Sequence, residues 1–161
     1  MTKAQPVIVG ALVMGTLSAL PIIALGNGCC CLWVMSGGFV AAYLAQQNQA
    51  APITPADGAL TGLLAGIAGA FVYVVISVPI EIALGPMQRE IIRRLVENMG
   101  GAEGFRNYAE QADVVAGPVV RAILGFLTML VAGAVFSTIG GLVGSLIFRK
   151  TPPPADASAS R

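Results

Sequence analysis

Residues 58–84 read GALTGLLAGIAGAFVYVVISVPIEIAL, an apolar run whose only charge is Glu81. A helix that crosses a membrane needs about 20 mostly apolar residues, and this run exceeds that. Within it Gly58, Gly62, Gly66 and Ala70 recur at every fourth position, so one stripe of the helix is nearly bare of side chains. Lipid tails are as apolar as leucine, so helices in a bilayer gain from each other by close backbone approach. A bare stripe on an otherwise bulky apolar helix suits that packing. The run reads as a glycine-faced membrane span.

Three runs of similar character accompany it. Residues 6–26 carry no charge and are long enough to cross, and Asn27-Gly28 then offers a tight turn. Residues 29–45 are also uncharged, slightly short, and end in Gln46, Gln47, Asn48 and Gln49. Residues 51–57, with Pro52 and Pro55, read as a loop, and Gly85-Pro86 as the stop of the third span. Residues 119–148 form a fourth run, with Arg121 near its start and Arg149-Lys150 at its end. That run carries its own small stripe, Gly133, Ser137, Gly141 and Ser145, flanked by Gly140 and Gly144. The expected fold is an all-α integral membrane protein, a four-helix transmembrane bundle over residues 1–150. Residues 151–161, opening on three prolines after Thr151 and continuing in Ala and Ser, are expected to be a disordered tail.

Composition agrees with this class. Hydrophobic residues make up 56% and charged residues 11% of the 161, with mean hydropathy +0.81, against about 25% charged residues in a soluble domain. The 20 glycines suit close helix packing. A net charge of +1 gives no basic field for nucleic acid, and the absence of histidine removes the commonest general base and metal ligand. Three cysteines in one run are not a disulfide framework.

Residues 87–113 hold most of the remaining charge and differ in kind. Met87, Ile91, Ile92, Leu95, Val96 and Met99 recur at helical spacing, while Arg89, Glu90, Arg93, Arg94 and Glu97 take the other face. Glu90 and Arg94, four apart, support a helix. Gly100-Gly101 breaks it, and Phe105, Tyr108, Ala109 and Ala112 repeat the pattern. A short amphipathic helical pair is expected between spans three and four, lying in the headgroup layer or capping the bundle by its apolar face. An internal repeat is also visible. Gly10-Ala11-Leu12 is echoed by Gly58-Ala59-Leu60, Pro21–Gly26 by Pro79–Gly85, and Gly37-Gly38 by Gly140-Gly141. A duplicated two-helix hairpin with parallel repeats accounts for these matches.

The candidate functional residues are few. Gly58, Gly62, Gly66, Gly133 and Gly141 are expected to pack helices, either within the bundle or between copies of the chain. Glu81 and Arg121 are the charges nearest the membrane interior, where charge is costly. Antiparallel spans place them at similar depth as an ion pair, with Pro79 loosening the helix beside them. Cys29, Cys30 and Cys31 point about 100° apart on a helix, so they do not converge on one metal ion. Small residues at a span's edge, or a lipidated cysteine, are the readings left. No paired carboxylates and no nucleophile with a base are in view, so no catalytic, cofactor-binding or metal residue is expected.

The stretch Gly28-Cys29-Cys30-Cys31-Leu32-Trp33, followed by Gly37-Gly38, resembles a pattern in bacterial four-span membrane proteins that have a Gly/Ala-rich third span and no assigned function. The likeness covers residues 7–75 and implies a bacterial membrane. The expected function is therefore that of a small non-enzymatic membrane protein that self-associates or scaffolds a partner through glycine-rich helices. A small channel or transporter using Pro79, Glu81 and Arg121 is the alternative. The expected partners are the lipid bilayer and a second copy of the chain. Lys3, the apolar run and Ala24-Leu25-Gly26 also fit a signal peptide, but the run exceeds the usual 7–15 residues. Lys and Arg are balanced, with Lys3, Arg149, Lys150 and Arg161 on one side and Arg89, Arg93, Arg94 and Arg106 on the other. The pair Arg149-Lys150 and Lys3 abut spans directly, which favours cytoplasmic termini in a bacterial inner membrane.

Overall fold

The computed structural model describes residues 4–20, 23, 27, 31–98 and 118–150. Among them every regular element is a helix. The elements are α1 (Gln5–Ala19), α2 (Leu32–Gln47), α3 (Pro55–Asn98), α4 (Pro118–Ala132) and α5 (Thr138–Ile147), with a π-helical turn at Gly133–Ser137 joining α4 to α5 in one rod. Cys29, Cys30, the second half of the expected amphipathic pair and the tail lie outside the described residues.

Helix α1 is shorter than its apolar run suggested. It has 15 residues, about 22 Å at 1.5 Å per residue. Leu20 turns extended (φ −80°, ψ 122°) because the ring of Pro21 clashes with a helical predecessor. The chain reverses around Asn27. Its side-chain amide donates to Ser18 Oγ at 3.1 Å, and its carbonyl oxygen accepts the Trp33 backbone N–H at 3.2 Å. The Trp33 indole donates to the Ile23 carbonyl at 2.6 Å. These bonds hold Cys31 in the left-handed region (φ 50°) just before α2.

The link from α2 to α3 is also organised by side chains. Gln46, almost fully buried, accepts the Ile53 N–H at 2.8 Å and donates to the Ala51 carbonyl at 3.1 Å. The expected loop at 51–57 is cut short, since α3 begins at Pro55. Thr54 Oγ1 accepts the Asp57 N–H at 3.1 Å while the Asp57 carboxylate takes the Thr54 N–H at 3.1 Å. That reciprocal capping satisfies backbone donors a helix start leaves open, and proline suits the first helical position.

Gly85-Pro86 does not stop α3, contrary to the sequence expectation. The helix runs for 44 residues through both Pro79 and Pro86. The two prolines are seven apart, so their rings share one side, and both are exposed. Each removes a single donor, and the rest of the helical hydrogen-bond ladder runs on past it. The first member of the expected amphipathic pair is consequently the end of α3, not a separate element. Arg94 Nε meets Glu90 Oε1 at 2.8 Å there.

Helices α2 and α3 touch each other and form the centre, with α1 on one side and the α4–α5 rod on the other. The α4–α5 rod runs in one direction, antiparallel to α3; α1 and α2 are likewise antiparallel, with α1 parallel to α3 and α2 parallel to α5. The two hairpins are built alike. Gly10 sits against Gly37 in the first and Gly58 against Gly141 in the second, each so close that an added Cβ would meet the partner's carbonyl oxygen within 2.7 Å. The internal repeat pairs Gly10 with Gly58, but it pairs Gly37 with Gly140, one residue away from Gly141. Met14, Ala41, Ala42, Ala65 and Ala70 fill the interior. Two stretches, Pro55–Met87 and Val119–Ile147, are long and apolar enough to cross a membrane.

Candidate functional site

Two places bring the sequence-derived residues together. The first is the face between α3 and the α4–α5 rod. Gly58, Gly62 and Gly66 line up against Ser145, Gly141, Ser137 and Gly133, and all seven are buried. A Cβ on Gly62 would lie 2.3 Å from the Ser137 carbonyl oxygen, and one on Gly66 would lie 2.2 Å from that of Gly133. The stripes of the two apolar runs face one another within one chain. They are thereby used up internally and are not open to a second copy.

The π turn sits in this face. A π-helical turn widens the ring from i→i+4 to i→i+5 and leaves carbonyls without their usual partners. The Thr138 hydroxyl donates to the Ala134 carbonyl, which takes up one of them. The Ser137 hydroxyl, fully buried, instead crosses the interface and donates to the Gly62 carbonyl at 2.7 Å. Neither feature was legible beforehand. The only hint was the serine replacing glycine within the second stripe.

Other glycine contacts escaped the sequence reading as well. Gly10 faces α2 and Gly15 faces α3, where Val72 lies within 2.7 Å of an added Cβ. Their separation of five residues puts them on different faces, so they form no stripe. Gly38 and Gly140 serve the α2–α5 crossing reciprocally, one against the Ser137 backbone and the other against that of Met35. Beyond the glycines, Phe148 packs edge-on against Phe39 and Tyr43 at centroid distances of 4.9 and 4.8 Å. At the same end Lys150 Nζ donates to the Gln49 carbonyl at 2.7 Å.

The second place is a lateral cleft between α3 and α4. The structure brings Glu81 and Arg121 together, Nε to Oε1 at 3.6 Å, an ion-pair distance rather than a hydrogen bond. The Arg121 side chain is 28% exposed and that of Glu81 is 45% exposed. They stand at one end of a cleft of about 650 Å³ whose walls are Phe71, Val74, Val75, Val78, Ala122 and Phe126, among others. Phe71 and Phe126 close its inner end, ring centroids 5.0 Å apart. On the other side of the α3–α4 contact, Gly125 lets the Tyr73 ring approach, 3.9 Å from an added Cβ. Pro79 lies on the exposed side of α3. Among these residues the chemistry available is packing, ion pairing and binding of an amphiphile.

No family model, curated protein or solved structure matches the chain.

Proposed function

We propose that the chain is a non-enzymatic, multi-pass membrane protein of four crossings that works as a packing scaffold. One observation carries this reading: the polarity of the fold is reversed. Among the described residues the inside is mostly small, with Ser18, Ser137, Ser145 and Gln46 and only Met14, Val34 and Ile53 of any bulk. Most bulky apolar side chains point outward. Val75 is 72% exposed, Ile82 79% and Val131 64%. Only 22% and 6% of the most apolar windows of the two long stretches are buried. In water such surface would drive aggregation; in lipid it is matched to its solvent, and close small-residue contacts supply the cohesion. The long stretches span about 50 and 44 Å as helices, more than the roughly 30 Å of a hydrocarbon core, so they tilt or project beyond it.

Since the glycine faces meet inside the chain, self-association in this reading uses the outward apolar faces of α4 and α5. The four-span resemblance and the charges of Lys3 and Arg149-Lys150 favour a bacterial inner membrane with those residues on the cytoplasmic side. Alkaline extraction of membranes from expressing cells tests the membrane reading. The chain should stay in the pellet, and release into the supernatant overturns it.

A second reading, a small channel or transporter using Pro79, Glu81 and Arg121, draws on the cleft that both charges line. Ion flux into liposomes separates the two. Flux abolished by Glu81→Gln would favour transport, whereas a chain that inserts and passes no ions supports the scaffold.

A further inference from the structure

The cleft lies on the flank of the α3–α4 pair, near the level where α1 ends. Contacts of α1 with α3 climb from Gly10 beside Ala65 to Gly15 beside Val72, and α1 ends four residues later at Ala19. Past this level α4 packs on α3, as the Glu81–Arg121 approach shows. The gap left at their flank is the cleft, open to the side. Its lining is graded along the helix axis. Phe71 and Phe126 are at the inner end and the Glu81–Arg121 pair is ten residues of α3 further on, about 15 Å away. Apolar walls leading to a charged rim are complementary to an amphiphile lying parallel to the helices.

We propose that this cleft holds a zwitterionic, amine-bearing phospholipid of the surrounding membrane. One acyl chain lies along Phe71, Val75, Val78 and Ala122, with the phosphate on the Arg121 guanidinium and the amine on the Glu81 carboxylate. The proposal rests on the membrane reading above. Three points select this occupant. The cleft's lining includes Phe71, Val75, Ile82 and Ile123, all more than half exposed, so it is reached from the outer apolar surface that faces lipid in the membrane reading. Its volume falls within the 300–1,000 Å³ typical of small-molecule sites. Two opposite charges set side by side match a headgroup carrying both signs. A purely anionic headgroup would instead bring its charge up to the Glu81 carboxylate, and like charges there are unfavourable.

Native mass spectrometry of the full chain in mild detergent tests this, with phosphatidylethanolamine and phosphatidylglycerol of identical acyl chains titrated separately. The expected result is retention of the ethanolamine lipid at about tenfold lower concentration, the equivalent of one charge-assisted hydrogen bond. Glu81→Gln should bring the two lipids to near parity. Ala122→Trp, which fills the cleft, should remove the retained lipid, while Leu12→Trp on the outward side of α1 should keep it. Val78→Trp repeats the filling test should Ala122→Trp elute as misfolded material. Equal lipid retention by a folded, cleft-filled variant overturns the proposal, as does a preference for phosphatidylglycerol. A lipid-free dimer that Ala122→Trp converts to monomer also overturns it and assigns the cleft to a second copy. A chain that resists alkaline extraction yet retains no lipid overturns this proposal alone. A chain released by alkali overturns the membrane reading first.

Discussion

At Gly66 an added Cβ would sit 2.2 Å from the Gly133 carbonyl oxygen, and at Gly62 2.3 Å from that of Ser137. Neither oxygen belongs to a flexible side chain, so the backbones themselves must separate. Gly62→Leu or Gly66→Leu should therefore lower the thermal unfolding midpoint in detergent or the folded yield, by the 1–3 kcal/mol typical of overpacking or more. Leu64→Ile, on the outward side of the same helix, should leave both unchanged. Equal effects from the glycine and leucine changes would remove the interface from the account. Cys31 presents the opposite case, a side chain where glycine would be easier. Its φ of 50° carries a steric cost of roughly 1–2 kcal/mol for an L-residue. Cys31→Gly should raise the midpoint slightly, since glycine adopts this conformation freely. A clear loss of stability would show that the thiol itself makes a contact the fold needs.

At the scale of elements, the π turn sets the rotation of α4 relative to α5. It holds one residue more per turn than an α-helix, so the α5 face that meets Gly58 and Gly62 and the α4 face that carries Arg121 both address α3. Deleting Ala134 should restore regular α-helix and rotate α4 by about 100°. Circular dichroism should then show unchanged helicity while Arg121 is turned away from Glu81. The coupling of that pair is measurable beforehand in a double-mutant cycle with Glu81→Gln and Arg121→Gln. At partial exposure a coupling of about 0.5–1 kcal/mol is expected, and it should vanish in the deletion background. Strictly additive losses in the parent chain would mean that the two charges stand close without stabilising each other. Persistence of the coupling after the deletion would show that the turn does not set the rotation.

For the whole molecule, the alternating helix directions put the Gln49 region and the end of α5 at one end, tied by the Lys150–Gln49 bond. The Asn27 turn and the far end of α3 lie at the other. Reporter fusions after Gln49 and after Lys150 should give the same sidedness, and a fusion after Asn27 the opposite one. The bases at the span ends, Arg149 and Lys150, predict that the first pair is cytoplasmic. Fusions at Gln49 and Lys150 with opposite sidedness would overturn the proposed four crossings. The same sidedness at all three would mean that the α1–α2 hairpin enters without crossing.

The helical class and the two bare stripes were readable from residue order alone, because apolarity and side-chain size recur with the period of the helix that carries them. The approach of Glu81 to Arg121 was readable for a related reason, as two charges at facing ends of consecutive antiparallel runs. What the order could not state is which stripe meets which. Periodicity identifies the small side of a helix but not the surface brought against it by chain reversal, and Gly10 and Gly15 show the limit by serving two different neighbours. The passage of α3 through Pro79 and Pro86 was likewise hidden. A proline's local cost is the same everywhere, and only the surroundings decide whether the remaining backbone groups have any partner outside a helix. The π turn, the Ser137–Gly62 bond and the cleft belong wholly to the tertiary structure. Each depends on a carbonyl or a gap that exists only once two helices lie side by side.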